Sequence, residues 1–574
     1  MKKTRINLIA TVALAIVFAS CSGLDKMNKK AEEVNYTVTP EVLEEHGGKV
    51  DVTVKVQIPE KYFDKKVSLE ATPVLVYDGG ETAFEPYTLQ GESVDGNAKV
   101  ISYTNGGSFT YTGSVPYNDN MRVSDLVVKV KASKGDKTLE FDPYKIADGV
   151  DATPTLVCDK GAQAVIGADH FQRIIPEEKA AQIFFIIQRA NLRGSELTKD
   201  EVKQLNEYIK EVKATENKEF KGVNISAYAS PDGPMDLNTD LAAAREKNTQ
   251  KYLTKQLKKA KVDEAKSEEF FNIKSTPEDW EGFKELMEKS NIQDKDLILR
   301  VLAMYSDPEV REREIKNMSA TFKVLAEEIL PKLRRSKLAV NVDVIGKSDE
   351  EISNLAANNP SELNIEELLY AATLTDNKDD QLAIYKAAAN KYPQCWRAEN
   401  NVGVVLYEKG DLAGAKAAFE KANSLKSGVP EINNNLGVIA LREGDIAKAE
   451  EYFGNAAGAG PALDNNLGIV AIHKGDYDAA VRYFGNAANC NAALAKILVK
   501  NYDAALSTLN AIPREEGLKY YLKAVVGAKT SDSDMMFASL RKAVELDSKF
   551  KKLAATDVVF GKYLEDATFK SIVE

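Results

Sequence analysis

Histidine is nearly missing from this chain: 574 residues hold three, His46, His170 and His473, far apart in sequence. Cysteine is almost as scarce, with Cys21, Cys158, Cys395 and Cys490 and no CxxC spacing. A zinc site needs clustered thiolates and imidazoles, and an activated nucleophile needs a neighbouring base. Neither arrangement is offered, so no metal, no cofactor and no enzymatic activity are expected. Positive charge is also short: 76 Lys and Arg stand against 87 Asp and Glu, for a net charge of −11. Nucleic-acid binding wants a basic face, so that class is set aside. Beyond the first twenty residues no stretch is apolar for long enough to span a bilayer. The chain is too long for one core, which predicts three or four domains.

What is present is a repeat. VGVVLYEKGDLAGAKAAFEKA, LGVIALREGDIAKAEEYFGNA and LGIVAIHKGDYDAAVRYFGNA are three copies of one unit, with Gly403, Gly437 and Gly468 spaced 34 and 31 residues apart. Each copy has a marker glycine on a first helix, where the missing side chain admits a second helix. A Gly-Asp turn follows (Gly410-Asp411, Gly444-Asp445, Gly475-Asp476), with the aspartate placed to cap the second helix. Small Ala415, Ala449 and Ala480 and core-filling Phe419, Phe453 and Phe484 complete it. The unit resembles the tetratricopeptide family, which stacks helix hairpins of this period into a solenoid. A degenerate repeat over 362–393 precedes these copies and weaker ones follow, so an all-α array with a C-terminal cap is expected over 362–574.

Two residues before each marker glycine stands an asparagine, Asn401, Asn435 and Asn466, each preceded by another, Asn400, Asn434 and Asn465. The family resemblance places this position on the concave groove. There a primary amide both donates to and accepts from an extended peptide backbone. Arg397, Glu399, Arg442 and His473 are further groove positions. Two readings stand side by side: a peptide-binding ladder, or a solvated polar groove.

The chain opens with Lys2, Lys3 and Arg5, an apolar core over 6–18, and Phe18-Ala19-Ser20-Cys21. This is a signal-peptide pattern over 1–20. The small residues before Cys21 resemble a bacterial lipobox. The resemblance implies that Cys21 carries the lipid, palmitate among its acyl chains, and that 21–33 is a flexible tether. With Ser22 after the cysteine it implies the outer membrane, on the periplasmic face rather than the cell surface.

Residues 34–155 alternate with period two, as in Val50, Val52, Val54, Val56 and Ile58, between Gly-rich turns. This predicts a β-sandwich of immunoglobulin type. Residues 160–347 are mixed. A buried-type strand over Ala181–Arg189, a helix over Ser195–Lys213, a strand over Val223–Ala229, the loop Ser230-Pro231-Asp232-Gly233, a helix over Asn238–Leu253 and a last strand over Leu338–Ile345 follow one another. The order resembles the OmpA-like peptidoglycan-binding domain, as found with Tyr-Ala-Ser-Pro in Bacteroidota, here with a charged helical insertion over 261–335 and a linker at 348–361. In that family a loop aspartate and a helix arginine grip the diaminopimelate of the cell wall. The arginine corresponds to Arg245. The aspartate position holds Ser230, with Asp232 two residues on. Arg245 is therefore either half of a ligand grip or a local structural bridge.

These features together predict a lipid-anchored, non-enzymatic outer-membrane scaffold. Its groove would bind an extended segment of another envelope protein, as an accessory subunit of an assembly, protein-insertion or secretion machine. The alternative is a lipoprotein that tethers peptidoglycan through the central domain.

Overall fold

The computed structural model describes residues 23–574. The expected signal peptide over 1–20 and the expected lipid-bearing Cys21 lie outside them. The chain divides into two bodies, one made of residues up to Ala168 together with Asn377–Glu574, the other of Asp169–Asp376.

In the first body the strand-rich region forms two mostly antiparallel sheets. One is built on Lys49–Ile58, which pairs with Asn35–Thr39 and Leu43–His46 on one edge and Gly107–Pro116 on the other. The second is built on Ser68–Tyr77 paired with Ser124–Lys134, with Tyr87–Gly91 and Tyr144–Asp148 alongside. The period-two pattern does what it predicts. Val50, Val52, Val54, Val56 and Ile58 turn inward and pack with Leu69, Leu75, Leu126 and Ala132.

The C-terminal region is a solenoid of helix pairs: Trp396–Glu408 with Leu412–Leu425, Pro430–Arg442 with Ile446–Gly454, Pro461–His473 with Tyr477–Phe484, Cys490–Leu498 with Tyr502–Ala511, and Gly517–Thr530 with Ser533–Leu546. The marker glycines exist for close approach. A Cβ on Gly403 would lie 2.5 Å from Phe419, and one on Gly437 2.5 Å from Phe453. Asp411, Asp445 and Asp476 cap the second helices by accepting from Gly414, Lys448 and Ala479. The strand-rich region sits against this solenoid. His46 meets Tyr477 edge-on at 4.9 Å, and Lys529 pairs with Asp151 at 2.6 Å.

The second body carries a four-stranded sheet in the order Ile174–Phe184, Arg335–Ile345, Lys218–Tyr228, Phe271–Thr276. The last pair is parallel and the others antiparallel. Asp200–Ala214 and Met235–Lys259 cover one face, with Leu205, Ile209, Leu253 and Leu257 packed on Ile183, Ile225 and Val340. Four details differ from the sequence expectation. The first strand runs over Ile174–Phe184, and Ile186 and Ile187 lie beyond it in a solvent-exposed turn. The insertion over 261–335 is not all helical, because Phe271–Thr276 joins the sheet. The span 348–361 is not a linker: Asp349–Asn358 is a helix with a Ser348/Glu351 capping box. Residues 160–168 are not part of the mixed domain at all, and belong to the groove described next.

Candidate functional site

The asparagine ladder is occupied. Its occupant is the chain's own segment Cys158–Gly167, which leaves the strand-rich region and runs along the solenoid in the direction opposite to the repeats. At each rung one amide holds both ends of a strap residue's main chain. Asn401 accepts from Gly167 N–H at 2.7 Å and donates to its carbonyl at 3.0 Å. Asn435 does the same to Val165, at 2.7 and 2.8 Å. Asn466 holds Gln163 at 2.8 Å both ways. The step is two strap residues per repeat, the period of extended backbone.

The preceding asparagines add a second row. Asn400, Asn434 and Asn465 donate to the carbonyls of Val165, Gln163 and Gly161 at 3.0, 2.9 and 2.9 Å. The amides also bond each other across repeats, Asn435 to Asn400 at 2.8 Å and Asn466 to Asn434 at 2.9 Å. All six are buried. A buried primary amide left unpaired costs about 1–3 kcal/mol, so the stacked asparagines need the strap as much as it needs them.

Two groove residues carry no signal in the three-copy alignment. Asn491 holds both ends of Cys158 at 2.8 and 2.9 Å. It lies in the shortened fourth repeat, out of register with the others, and the motif Asn489-Cys490-Asn491 is its trace in the sequence. Tyr407 donates to the Ala162 carbonyl at 2.9 Å. Burial raises its phenol above the usual range, with Arg442, whose guanidinium lies 5.8 Å from the ring, working the other way. The remaining expected groove residues are also engaged. His473 meets Asp159 at 2.7 Å, Arg397 donates to the Ala168 carbonyl at 3.0 Å, and Glu399 pairs with Lys421. The strap is shaped for its seat: a Cβ on Gly167 would stand 2.8 Å from Arg397 and 3.0 Å from Trp396.

The second expected site comes together, but closed. Arg245 is 1% exposed. Its guanidinium donates to the carbonyls of Tyr228 at 2.8 Å, Arg189 at 3.1 Å and Ile186 at 3.4 Å, and lies over Phe185. Burial, with Arg334 nearby, brings its pKa down to about 10. Asp232 is taken by Arg334 at 3.0 Å, and Ser230 bridges the two, donating to Asp232 and accepting from Arg334. Ser230, Asp232 and Arg245 thus do not present a free guanidinium and a free carboxylate to a ligand. In this structure Arg245 and Asp232 each face a protein partner, which is the arrangement of a local structural bridge. Among the described residues there is no group of His, Cys, Asp and Glu that could hold a metal ion, and no helix long and apolar enough to cross a membrane.

The tetratricopeptide repeat family model matches residues 379–430 and 434–495. These stretches are tetratricopeptide repeats, a module of protein–protein interaction whose members are typically non-enzymatic scaffolds. No curated protein matches the chain. Among solved structures it is similar to the Cut9–Hcn1 hetero-tetramer of the APC/C, at 15% identity and TM-score 0.32, covering 60% of this chain and 66% of that one. A tetratricopeptide repeat protein from Parabacteroides merdae is similar at 14% identity and TM-score 0.28, over 37% of this chain and 91% of that one. YrrB, a tetratricopeptide protein with an unusual peptide-binding site, is similar at 19% identity and TM-score 0.24, over 29% and 92%.

Proposed function

We propose that this protein is a non-enzymatic scaffold of the cell envelope, held to the outer membrane through a lipid on Cys21. Its tetratricopeptide groove serves as an internal clamp, and its partners, other envelope proteins of an assembly, insertion or secretion machine, are met on surfaces outside that groove. The observation that carries this reading is the full set of eleven hydrogen bonds between groove asparagines and the main chain of residues 158–167. A covalently attached segment competes at an effective concentration on the order of millimolar. A free peptide at micromolar concentration does not displace it.

The test uses a labelled peptide with the sequence of residues 156–168. The intact protein should not bind it. A variant whose residues 158–167 are replaced by a Gly-Ser linker should bind it, and lose that binding on Asn435→Ala. Saturable binding to the intact protein would mean that the groove is open to partners after all. The lipid is tested separately: an alkyne-palmitate label should enter the wild type and be absent from Cys21→Ser, with flotation in the outer-membrane fraction lost in parallel. Tethering of peptidoglycan through the central domain is the alternative reading. The order of its strands and helices favours it, and the burial of Arg245 weighs against it.

A further inference from the structure

In a chain of net charge −11, one helix gathers positive charge alone. Between Glu246 and Asp263 the sequence holds six lysines and no acid: Lys247, Lys251, Lys255, Lys258, Lys259 and Lys261. The first five lie on Met235–Lys259, three or four residues apart along one face. The other face buries Arg245, Thr249, Leu253 and Leu257. From 247 to 262 every exposed residue is a lysine. Among the described residues none of the six has an ion pair, and the next acid, Asp263, is taken by Lys266 at 2.7 Å.

The ordinary reasons for lysine on a helix do not account for this. The helix dipole favours cations only in the last turn, which covers Lys258 and Lys259. A face laced with ion pairs would alternate in sign, whereas lysines four apart repel each other. Lys261 departs furthest from the ordinary. Its N–H bonds the Lys258 carbonyl at 3.1 Å and the Val262 N–H bonds that of Leu257 at 3.0 Å, closing the helix with Lys261 in the left-handed region at φ 60°. Glycine is the usual residue at that point of such a cap. Here the charge is kept where the backbone favours no side chain.

We propose that this lysine face docks on an anionic lipid surface, its ammonium groups meeting phosphate headgroups. The match is one of charge alone. The face has no exposed apolar or aromatic side chain to anchor in a protein pocket, and lysine is depleted at protein–protein interfaces. It has no exposed arginine, the residue that holds a carboxylate by two bonds. A nucleic acid also carries phosphates, but no arginine or ring stands beside the lysines to engage its bases. A spread of point charges fits a surface of headgroups. This contact rests on the scaffold reading for the nearness of a membrane. A single acyl chain holds a protein reversibly, and a basic patch is the second hold that makes the attachment stable.

The experiment uses the chain from Ser22 onward, which contains every described residue and lacks Cys21. It is sedimented with vesicles of phosphatidylcholine, or of phosphatidylcholine and phosphatidylglycerol in equal parts. It should bind the anionic vesicles only, and high salt should release it. Each lysine near such a surface contributes about fivefold in partitioning, so changing Lys251, Lys255 and Lys258 together to Glu should lower binding by roughly a hundredfold or more. The same change at Lys386, Lys552 and Lys562, exposed lysines of the solenoid, alters net charge equally and should leave binding near wild type. All six are exposed, and equal circular dichroism spectra and melting temperatures exclude folding effects; the salt dependence is read on the unaltered residues and needs no variant. No binding, equal binding to neutral vesicles, or equal loss in both triple variants overturns the proposal. So does tighter retention by duplex DNA or by poly-glutamate, which would give the face to a nucleic acid or an acidic protein. Because no lipidated cysteine is present, failure here and failure of the Cys21 label are separate results.

Discussion

Asn435 holds Val165 by both ends of its main chain: the side-chain oxygen accepts the N–H at 2.7 Å and the side-chain nitrogen donates to the carbonyl at 2.8 Å. The same nitrogen reaches Asn400 on the preceding repeat at 2.8 Å. One side chain therefore ties together two repeats and the strap.

Replacing it gives the first prediction. Asn435→Ala removes these three bonds and the one Asn435 accepts from Asn434 at 3.1 Å, and leaves partners in a buried groove, which should cost about 2–4 kcal/mol. Asn435→Asp should be worse, because its second oxygen faces the Val165 carbonyl and the Asn400 oxygen. Urea denaturation checks both. If the alanine variant unfolds within half a kilocalorie of wild type, the ladder contributes little and the strap is held by its surroundings.

The marker glycines give a second. A methyl group on Gly437 would press 2.5 Å from the Phe453 ring. Gly437→Ala should destabilise by roughly 1–3 kcal/mol, although alanine is the better helix former by about 1 kcal/mol. Phe453→Leu, itself destabilising, should relieve the clash, so the double variant should be more stable than the two single losses added together. Strict additivity would mean that the contact is not the reason for glycine.

A third concerns pH at the join between the strand-rich region and the solenoid. Burial alone would raise the Asp151 carboxyl, but Lys529 at 2.6 Å, helped by Thr153, outweighs it and holds the group below the usual range. Burial works against the Lys529 ammonium too, yet Asp151 raises it. A depressed carboxyl stabilises above its unfolded pKa of about 3.9 and loses that contribution as pH falls through the folded value. A raised ammonium stabilises below about 10.4 and loses that as pH rises through the folded value. The pair should therefore support the join across the middle of the range and fail at both ends. Asp557, raised by burial with Asp151 adding to it, has the opposite sign and gains stability on acidification. Stability curves of wild type and Lys529→Met should converge as pH falls below the unfolded carboxyl value of about 3.9 and through the lower folded one, and diverge towards neutrality. Parallel curves would remove the pair from the account.

Much of this was legible in the residues, and the rest was hidden for physical reasons. Gly437, Asp445, Ala449 and Phe453 each answer one packing or capping need, so their spacing disclosed the solenoid. The asparagines disclosed that backbone would be bound there. They could not disclose whose, because a ladder that reads N–H and C=O leaves no side-chain signature on its ligand. Residues 158–167 show only small size at Gly161, Ala162, Ala164 and Gly167. Ile186 and Ile187 extended an apolar run and so read as strand, since a turn that faces apolar groups outward breaks the usual correlation of hydrophobicity with burial. The strand Phe271–Thr276 was lost in charged surroundings because only one of its faces meets the core.

Arg245 gives the last prediction, and the one that separates a fold from the activity associated with it. A guanidinium suits a carboxylate or a set of carbonyls equally well in sequence, and burial decides between them. At 1% exposure, with three bonds to main-chain carbonyls, it serves the turn at 186–189. Arg245→Ala should leave three carbonyls short of a donor and open a cavity. The expected loss is about 3–5 kcal/mol, with faster amide exchange concentrated at 186–190. Arg245→Lys should recover part of the stability, since an ammonium can reach some of these oxygens but not all. Sedimentation of the full-length protein with isolated peptidoglycan should be the same for wild type and for Arg245→Lys. If the wild type sediments and the lysine variant does not, while both remain folded, the guanidinium reaches a ligand after all, and the clamp at the turn must open to let it.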